Sequence, residues 1–297
     1  VLGPGNQYWH FSSMSVGVSV GWERRIGMFP TFIDTDGLLY ANTRFGDYPH
    51  YAPSETDRHG TFTGWMLLSY KKPVKVSSAL EDYNAENLVD ENVKTFWVAQ
   101  ENGENQWIEI DLEQPAVVKA LQINYNDYKS DLYGKIPGLY HQYSIEASLD
   151  GIHWETVIDR SENSKDVPND YVVLQNPIKT KHIRYRNVHV PTSYLSISDI
   201  RIFGNGFGKA PKPLKKFTLE RKDMRRGANL SWNAVKDAQG YNVLWGIAPN
   251  KLYSSWMVYE DTSLDIKSLN SDQTYYFSIE VFNENGVSEK SPILKLE

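Results

Sequence analysis

The segment Asn87-Leu88-Val89-Asp90-Glu91-Asn92-Val93-Lys94-Thr95 gathers oxygen-bearing side chains on a short polar loop. Asn87, Asp90, Asn92 and Thr95, with the carbonyls between them, offer the flexible all-oxygen shell that a hard cation such as Ca²⁺ takes. The same residue types also close turns through side-chain-to-backbone hydrogen bonds. The spacing therefore admits both a cation loop and a self-bonded turn.

A second set is aromatic and polar together. Tyr125, Asn126, Tyr128, Lys129, Asp131 and Tyr133 fall in one stretch, with Tyr140 and His141 beyond it and Tyr83, His189 and Tyr194 elsewhere. An aromatic face suits the C–H surface of a sugar ring, and flanking polar groups suit its hydroxyls, as concave binding sites require. Tyrosine is abundant in this chain, 19 in all, so each of these rings also has a plain reading as a loop cap.

Carboxylates for acid–base chemistry are harder to find. Asp34 and Asp36 flank the turn Asp34-Thr35-Asp36-Gly37, and Asp47 lies in Gly46-Asp47-Tyr48-Pro49. Aspartate and glycine in such places serve turn geometry. A general acid of raised pKa needs an apolar setting, and neither segment supplies one.

Composition bounds the rest. A net charge of -6 argues against a nucleic-acid footprint, and no apolar run is long enough to span a membrane. Cysteine is absent, which excludes disulfides and thiolate chemistry. Aromatic residues make up 13% of the chain, compatible with sheet packing and with sugar stacking alike.

The elements that must position these groups read as strands throughout. Short Val/Ile/Tyr/Trp runs alternate between Gly, Pro, Asn and Asp clusters, and no helical period persists. An all-β chain in three pieces follows: 1–72, 73–206 and 211–297, divided near Lys71-Lys72-Pro73 and at Gly204 to Pro213. Gly204, Gly206 and Gly208 precede Lys209-Ala210-Pro211, which cannot open a phosphate-binding helix, so they are read as linker.

Three resemblances refine this division. Trp232, the Leu269…Tyr275 spacing, the Asn283-Glu284-Asn285-Gly286 turn and the alternation of Tyr275, Phe277, Ile279 and Val281 make 211–297 similar to a fibronectin type III β-sandwich. Ala85…Asp90…Thr95-Phe96-Trp97, Trp107 to Leu112, Ser148-Leu149-Asp150-Gly151-Ile152-His153-Trp154 and Ser198-Asp199-Ile200-Arg201-Ile202-Phe203-Gly204 make 73–206 resemble a discoidin, or coagulation factor 5/8 C-type, domain. In bacterial glycan-degrading proteins this is the family 32 carbohydrate-binding module, a jelly-roll sandwich. That resemblance implies a structural calcium at Asn87–Thr95, closed by Asp199 where the family more often has glutamate. It also implies a sugar site on variable loops.

Tyr8-Trp9-His10, Glu23 to Pro30, Asp36 to Tyr40 and Gly46 to Pro49 make 1–72 resemble the last blade of the five-bladed propeller in family 43 glycoside hydrolases. The resemblance implies an inverting β-xylosidase or α-arabinofuranosidase acting on plant polysaccharide. Its catalytic carboxylates would sit on earlier blades that 1–72 packs against. Trp22 and either Arg24 or Arg25 would contribute substrate contacts, because neighbours on a strand face opposite ways. The expectation is the C-terminal part of a secreted, periplasmic or cell-surface bacterial protein whose partner is carbohydrate. The alternatives are a non-catalytic glycan-binding adhesin and a purely structural accessory.

Overall fold

The computed structural model describes residues 8–15, 24–51, 61–132, 136–222, 226–267 and 269–297, with backbone alone for 12–15 and 24–27. Trp22 and Tyr133 lie outside the described residues, and Arg24 and Arg25 are placed only as the start of a strand. The described residues are almost entirely β. The chain divides into two compact units, one made of 1–13, 26–66 and 208–297, the other of 14–25 and 67–207.

The first unit begins with β1 (Tyr8–Ser15), β2 (Arg24–Ile33) and β3 (Leu39–Ala41), an antiparallel sheet in the order β1-β2-β3. The turn between β2 and β3 forms as its residues dictate: Asp34 Oδ1 accepts the amides of Asp36 and Leu38, and Gly37 takes φ +81°.

The second unit contains β4 (Met66–Leu67), β5 (Val74–Val76), a 3₁₀ turn at Ala85–Val89, β6 (Trp97–Val98), β7 (Trp107–Tyr125), β8 (Gln142–Ser148), β9 (Glu155–Asp159), β10 (Asn169–His189) and β11 (Ser196–Gly206). The hydrogen-bonded path runs β4-β11-β7-β10-β8-β9, with β5 beside β7 and β6 beside β11. Ile108, Ile110 and Leu112 are buried while Trp107, Glu109 and Asp111 alternate outward, the period-two pattern of a strand with one face in a core. β7 and β10 are too long to lie in one flat layer. Their pairing slips between Val173 and Ile178 and again between Thr180 and His182, irregularities that bend the ladder. The core between them holds Trp97, Tyr143, Tyr185, Ile123, Ile145 and Ile197.

Gly204 and Gly206 are strand, not linker. They pair with Val118 and Ala116, and a Cβ at Gly204 would stand 1.9 Å from the Val117 carbonyl oxygen. Glycine is there because the neighbouring backbone approaches closely. The linker begins only after them.

The first unit resumes with β12 (Phe217–Arg221), β13 (Ala228–Trp232), β14 (Gly240–Gly246), β15 (Ser254–Tyr259), β16 (Ser263–Ile266), β17 (Tyr275–Asn283), β18 (Gly286–Val287) and β19 (Leu294–Leu296). Two sheets, β12-β13-β16 and β15-β14-β17-β18 with β19 also on β17, enclose Trp232, Tyr241, Val243, Phe277 and Ile279. The Tyr275 hydroxyl accepts the Asn270 amide at 3.1 Å.

The N-terminal segment does not stand apart from this sandwich. Tyr40 stacks on Tyr253 with ring centres 3.5 Å apart, and Phe45 packs against Phe62 and edge-on to Phe282. Asp34 Oδ2 accepts the Tyr253 hydroxyl and pairs with Lys251, which holds its carboxyl down to about 2 together with the turn amides. Residues 26–66 and 208–297 thus fall in one compact unit. The outward face of β17 carries Phe282 and Glu280, which need cover, and Arg44, Phe45 and Tyr48 supply it.

Candidate functional site

At one end of the second unit, four rings from separate connections meet. Tyr83 comes from the segment after β5, Phe96 from just before β6, Tyr128 from the β7–β8 loop and Tyr194 from the β10–β11 loop. Tyr128 stands edge-on to Tyr83 at 4.8 Å and to Tyr194 at 5.3 Å, while Tyr83 lies 5.0 Å from Phe96. All four are partly exposed. Lys129, at φ +47°, folds back so that its ammonium sits 5.2 Å from the centre of the Tyr128 ring. Desolvation, then hydrogen bonding to Tyr128, pushes the Tyr83 hydroxyl above its usual range, so it stays a neutral donor.

Beside these rings lies a cavity of about 190 Å³. The β7–β8 loop gives Asn126 and Asp127, the segment before β10 gives Asp166 and Pro168, and the β10–β11 loop gives Pro191 and Thr192. Tyr125 and His141 line it from below, with rings 4.4 Å apart. Tyr125 was expected to offer an open face for stacking; it is 6% exposed, its hydroxyl bonded to that of Tyr185 inside the core. The reason is its place as the last residue of β7, in register with Ile197. His141 is likewise buried, and its Nδ1 accepts the Val167 amide, which places the ring hydrogen on Nε2. Burial, reinforced by nearby His189, lowers its pKa to about 4 against the pull of Asp166 and Asp170. The imidazole is neutral at ordinary pH.

The remaining predicted loop residues divide. Tyr140 stacks on His189 at 4.2 Å as a separate aromatic pair, and Asp131 is exposed. Phe96 and Asp166 join the site without having been singled out for it. Asp166 lies some forty residues beyond the loop it faces, so nothing in local spacing announces it.

The candidate cation loop closes on itself in part. Asp90 accepts the Asn92 amide and the Thr95 hydroxyl, Thr95 also donates to the Asn92 carbonyl, and the Asn87 amide group donates to Phe96 O. Glu91 is held by Arg201 through two bonds of 2.9 Å. Asp199 is different: 2% exposed, it keeps Oδ1 without a hydrogen-bond partner. Burial, then the charges of Glu91 and Asp90, raises its pKa to about 7, with Arg201 opposing. An orphaned buried carboxylate oxygen facing further carboxylates is costly by itself and favourable around a divalent cation. Among the described residues no three His, Asp or Glu groups would cage a metal unaided, so amide, hydroxyl and carbonyl oxygens must complete the shell. Calcium is a cation that accepts such a mixed oxygen set.

Residues 73–200 match the F5/8 type C domain. No curated protein matches the chain. Among solved structures, chitosan-binding module 1 from a chitosanase/glucanase of Paenibacillus sp. IK-5 is 21% identical, with 47% of this chain and 99% of that one covered at a TM-score of 0.39. The family 32 module of Clostridium perfringens NanJ, solved in complex with galactose, is 17% identical over 47% and 98% at 0.38.

Proposed function

We propose that residues 73–206 are a carbohydrate-binding module, and that the chain is the C-terminal part of a secreted glycoside hydrolase acting on plant polysaccharide. The observation that carries the binding role is the meeting of Tyr83, Phe96, Tyr128 and Tyr194 beside a polar cavity. Partly exposed rings supply C–H stacking, and the cavity's polar groups supply hydroxyl recognition. The F5/8 type C match of residues 73–200 agrees with this reading.

Calcium in this reading is structural. Asp90, Asp199, Asn87, Asn92 and Thr95 would hold it, neutralising charge that otherwise repels across the loop. It would supply cross-linking of the loop to β11, not chemistry on the sugar.

The finer reading of the parent enzyme, an inverting β-xylosidase or α-arabinofuranosidase, is supported by the blade-like motifs of residues 8–49 and by the antiparallel order β1-β2-β3. Propeller strands with spaced Asp, Asp and Glu in the coding sequence upstream of Val1 are the expected finding; their absence turns the reading to a non-catalytic adhesin. The fibronectin type III reading of the C-terminal strands draws support from the two-sheet arrangement and the Tyr275 corner.

The binding role is tested by titrating the full chain with plant-derived and amino-sugar oligosaccharides in a calorimeter. Tyr128→Ala should weaken binding about tenfold with the fold intact, since one stacked ring contributes on the order of 1 kcal/mol. Absence of any binding at millimolar sugar would leave the module a spacer.

A further inference from the structure

In the sandwich of the first unit, the three strands β12-β13-β16 face a five-stranded sheet whose edge is β15. Val243 and Val258 both lie in the core, so the side they share is turned toward the smaller sheet. Trp256 belongs to that side: it stands opposite Val243 in the ladder and two residues before Val258. Yet it is 60% exposed, because three strands do not reach across five. Among the described residues its indole makes no ring contact and no hydrogen bond.

Trp245 carries the same side along β14. It is partly buried, with its ring 6.3 Å from Phe277, and it pairs with Ser254. Trp245 and Trp256 are thus diagonal neighbours on adjacent strands, with Cβ atoms on the order of 7 Å apart. Ile247, 43% exposed, follows just past the end of β14. Exposed apolar side chains standing singly are ordinary, but two indoles and an isoleucine on one rim make a ledge.

Its size and charge narrow what covers it. At 60% exposure Trp256 offers on the order of 150 Å², far below the ~800 Å² per partner of a stable protein interface. A second copy of the chain is therefore a poor occupant. The side chains that share the side, Val243, Trp245, Ser254 and Val258, carry no charge with which to grip an ion. What fits is small, flat and neutral, with an apolar face for the indole and polar groups that stay in water. A pyranose ring has that form.

We propose that the ledge of Trp245 and Trp256 is a second glycan contact, on which a neutral polysaccharide chain lies flat against the Trp256 indole. It goes beyond the binding role of residues 73–206, because it uses other rings in the other unit.

The full chain, isotope-labelled, is titrated with xylohexaose and cellohexaose while the indole N–H signals are followed by NMR. The signal missing from the Trp256→Ala spectrum identifies the ring. It should move saturably with either hexasaccharide, alike in wild type and Tyr128→Ala, with a midpoint that is the same at low and high salt. In calorimetry, adding Trp256→Ala to Tyr128→Ala should lower the remaining affinity about tenfold. Unchanged affinity overturns the inference, as does a Trp256 signal that stays still while Tyr128-dependent signals move; the module then keeps its own role. A shift that vanishes in Tyr128→Ala means that the ring merely reports the module's site, and also overturns it. A salt-sensitive midpoint overturns the neutral class. A dimer in sedimentation that Trp256→Ala turns into a monomer makes the ledge an interface between copies instead. A moving Trp256 signal without any Tyr128-dependent change upholds the ledge and removes the binding role of 73–206. If no signal moves, both readings fall.

Discussion

Arg44 grips Glu280 across 236 residues of sequence, Nε and one terminal nitrogen each donating at 2.9 Å to separate carboxylate oxygens. Glu280 is almost wholly buried on the outward face of β17 and also accepts from Asn242. The forked geometry explains why an acidic residue is tolerated in the middle of a buried sheet face.

Replacing Arg44 with methionine should therefore destabilise the chain by about 2–4 kcal/mol, the range for an unpaired buried carboxylate discounted for a part-exposed guanidinium. Urea unfolding of Arg44→Met, Glu280→Gln and the double variant measures it. The double variant should recover part of the loss; additive losses would show that the two groups do not act as a pair.

Calcium should raise the melting temperature of the wild-type chain after exposure to a chelator, because a ligand of the native state stabilises it by mass action. Asp199→Asn should abolish most of that rise at the same calcium concentration. A melt insensitive to calcium and chelator would mean that the Asn87–Thr95 loop is held by its own hydrogen bonds alone.

His141 makes stability depend on pH in a defined direction. Its pKa falls from 6.5 to about 4 on folding, so between these values the unfolded chain binds a proton that the native state refuses. Stability then rises with pH across that window and is lost on acidification, by at most about 3 kcal/mol. His141→Gln should flatten the profile between pH 6.5 and 4; an unchanged slope assigns the acid sensitivity to other groups.

Gly204→Ala should cost about 3 kcal/mol, the upper end for overpacking, because the added methyl meets the Val117 backbone, which cannot swing away. Thermal melting gives the size. A neutral effect would mean that β11 and β7 can separate locally without loss.

Much of this architecture is legible in the chain. The alternation Ile108, Ile110, Leu112 and that of Tyr275, Phe277, Ile279, Val281 mark one buried face apiece, and both lie in cores. What the alternation conceals is the other face of β17. Glu280 and Phe282 look like part of a mixed outward row, yet both are buried, because Arg44 and Phe45, more than two hundred residues away, cover them, while Ser278 bonds Ser291. Site residues follow the same rule. Tyr128, Tyr83 and Tyr194 are visible as loop aromatics, and the structure brings their rings together. Tyr125 has the same residue type and neighbourhood but ends a central strand, so it is buried and lines the cavity instead of offering an open face. Composition reveals which side chains can bind; only strand register decides which way each one faces.

The partition of the first unit into 26–66 and 208–297, with 67–207 between them, sets an order of events during synthesis. Arg44 leaves the ribosome 236 residues before Glu280 does. At roughly 5–20 residues per second, that separation is on the order of ten to fifty seconds. The stretch 67–207, which belongs to the second unit, is fully synthesised within that delay. The N-terminal strands, with Phe45 and Phe62, wait without their cover. Until Glu280 and Phe282 emerge, Arg44 and Phe45 lack the partners they hold in the folded unit.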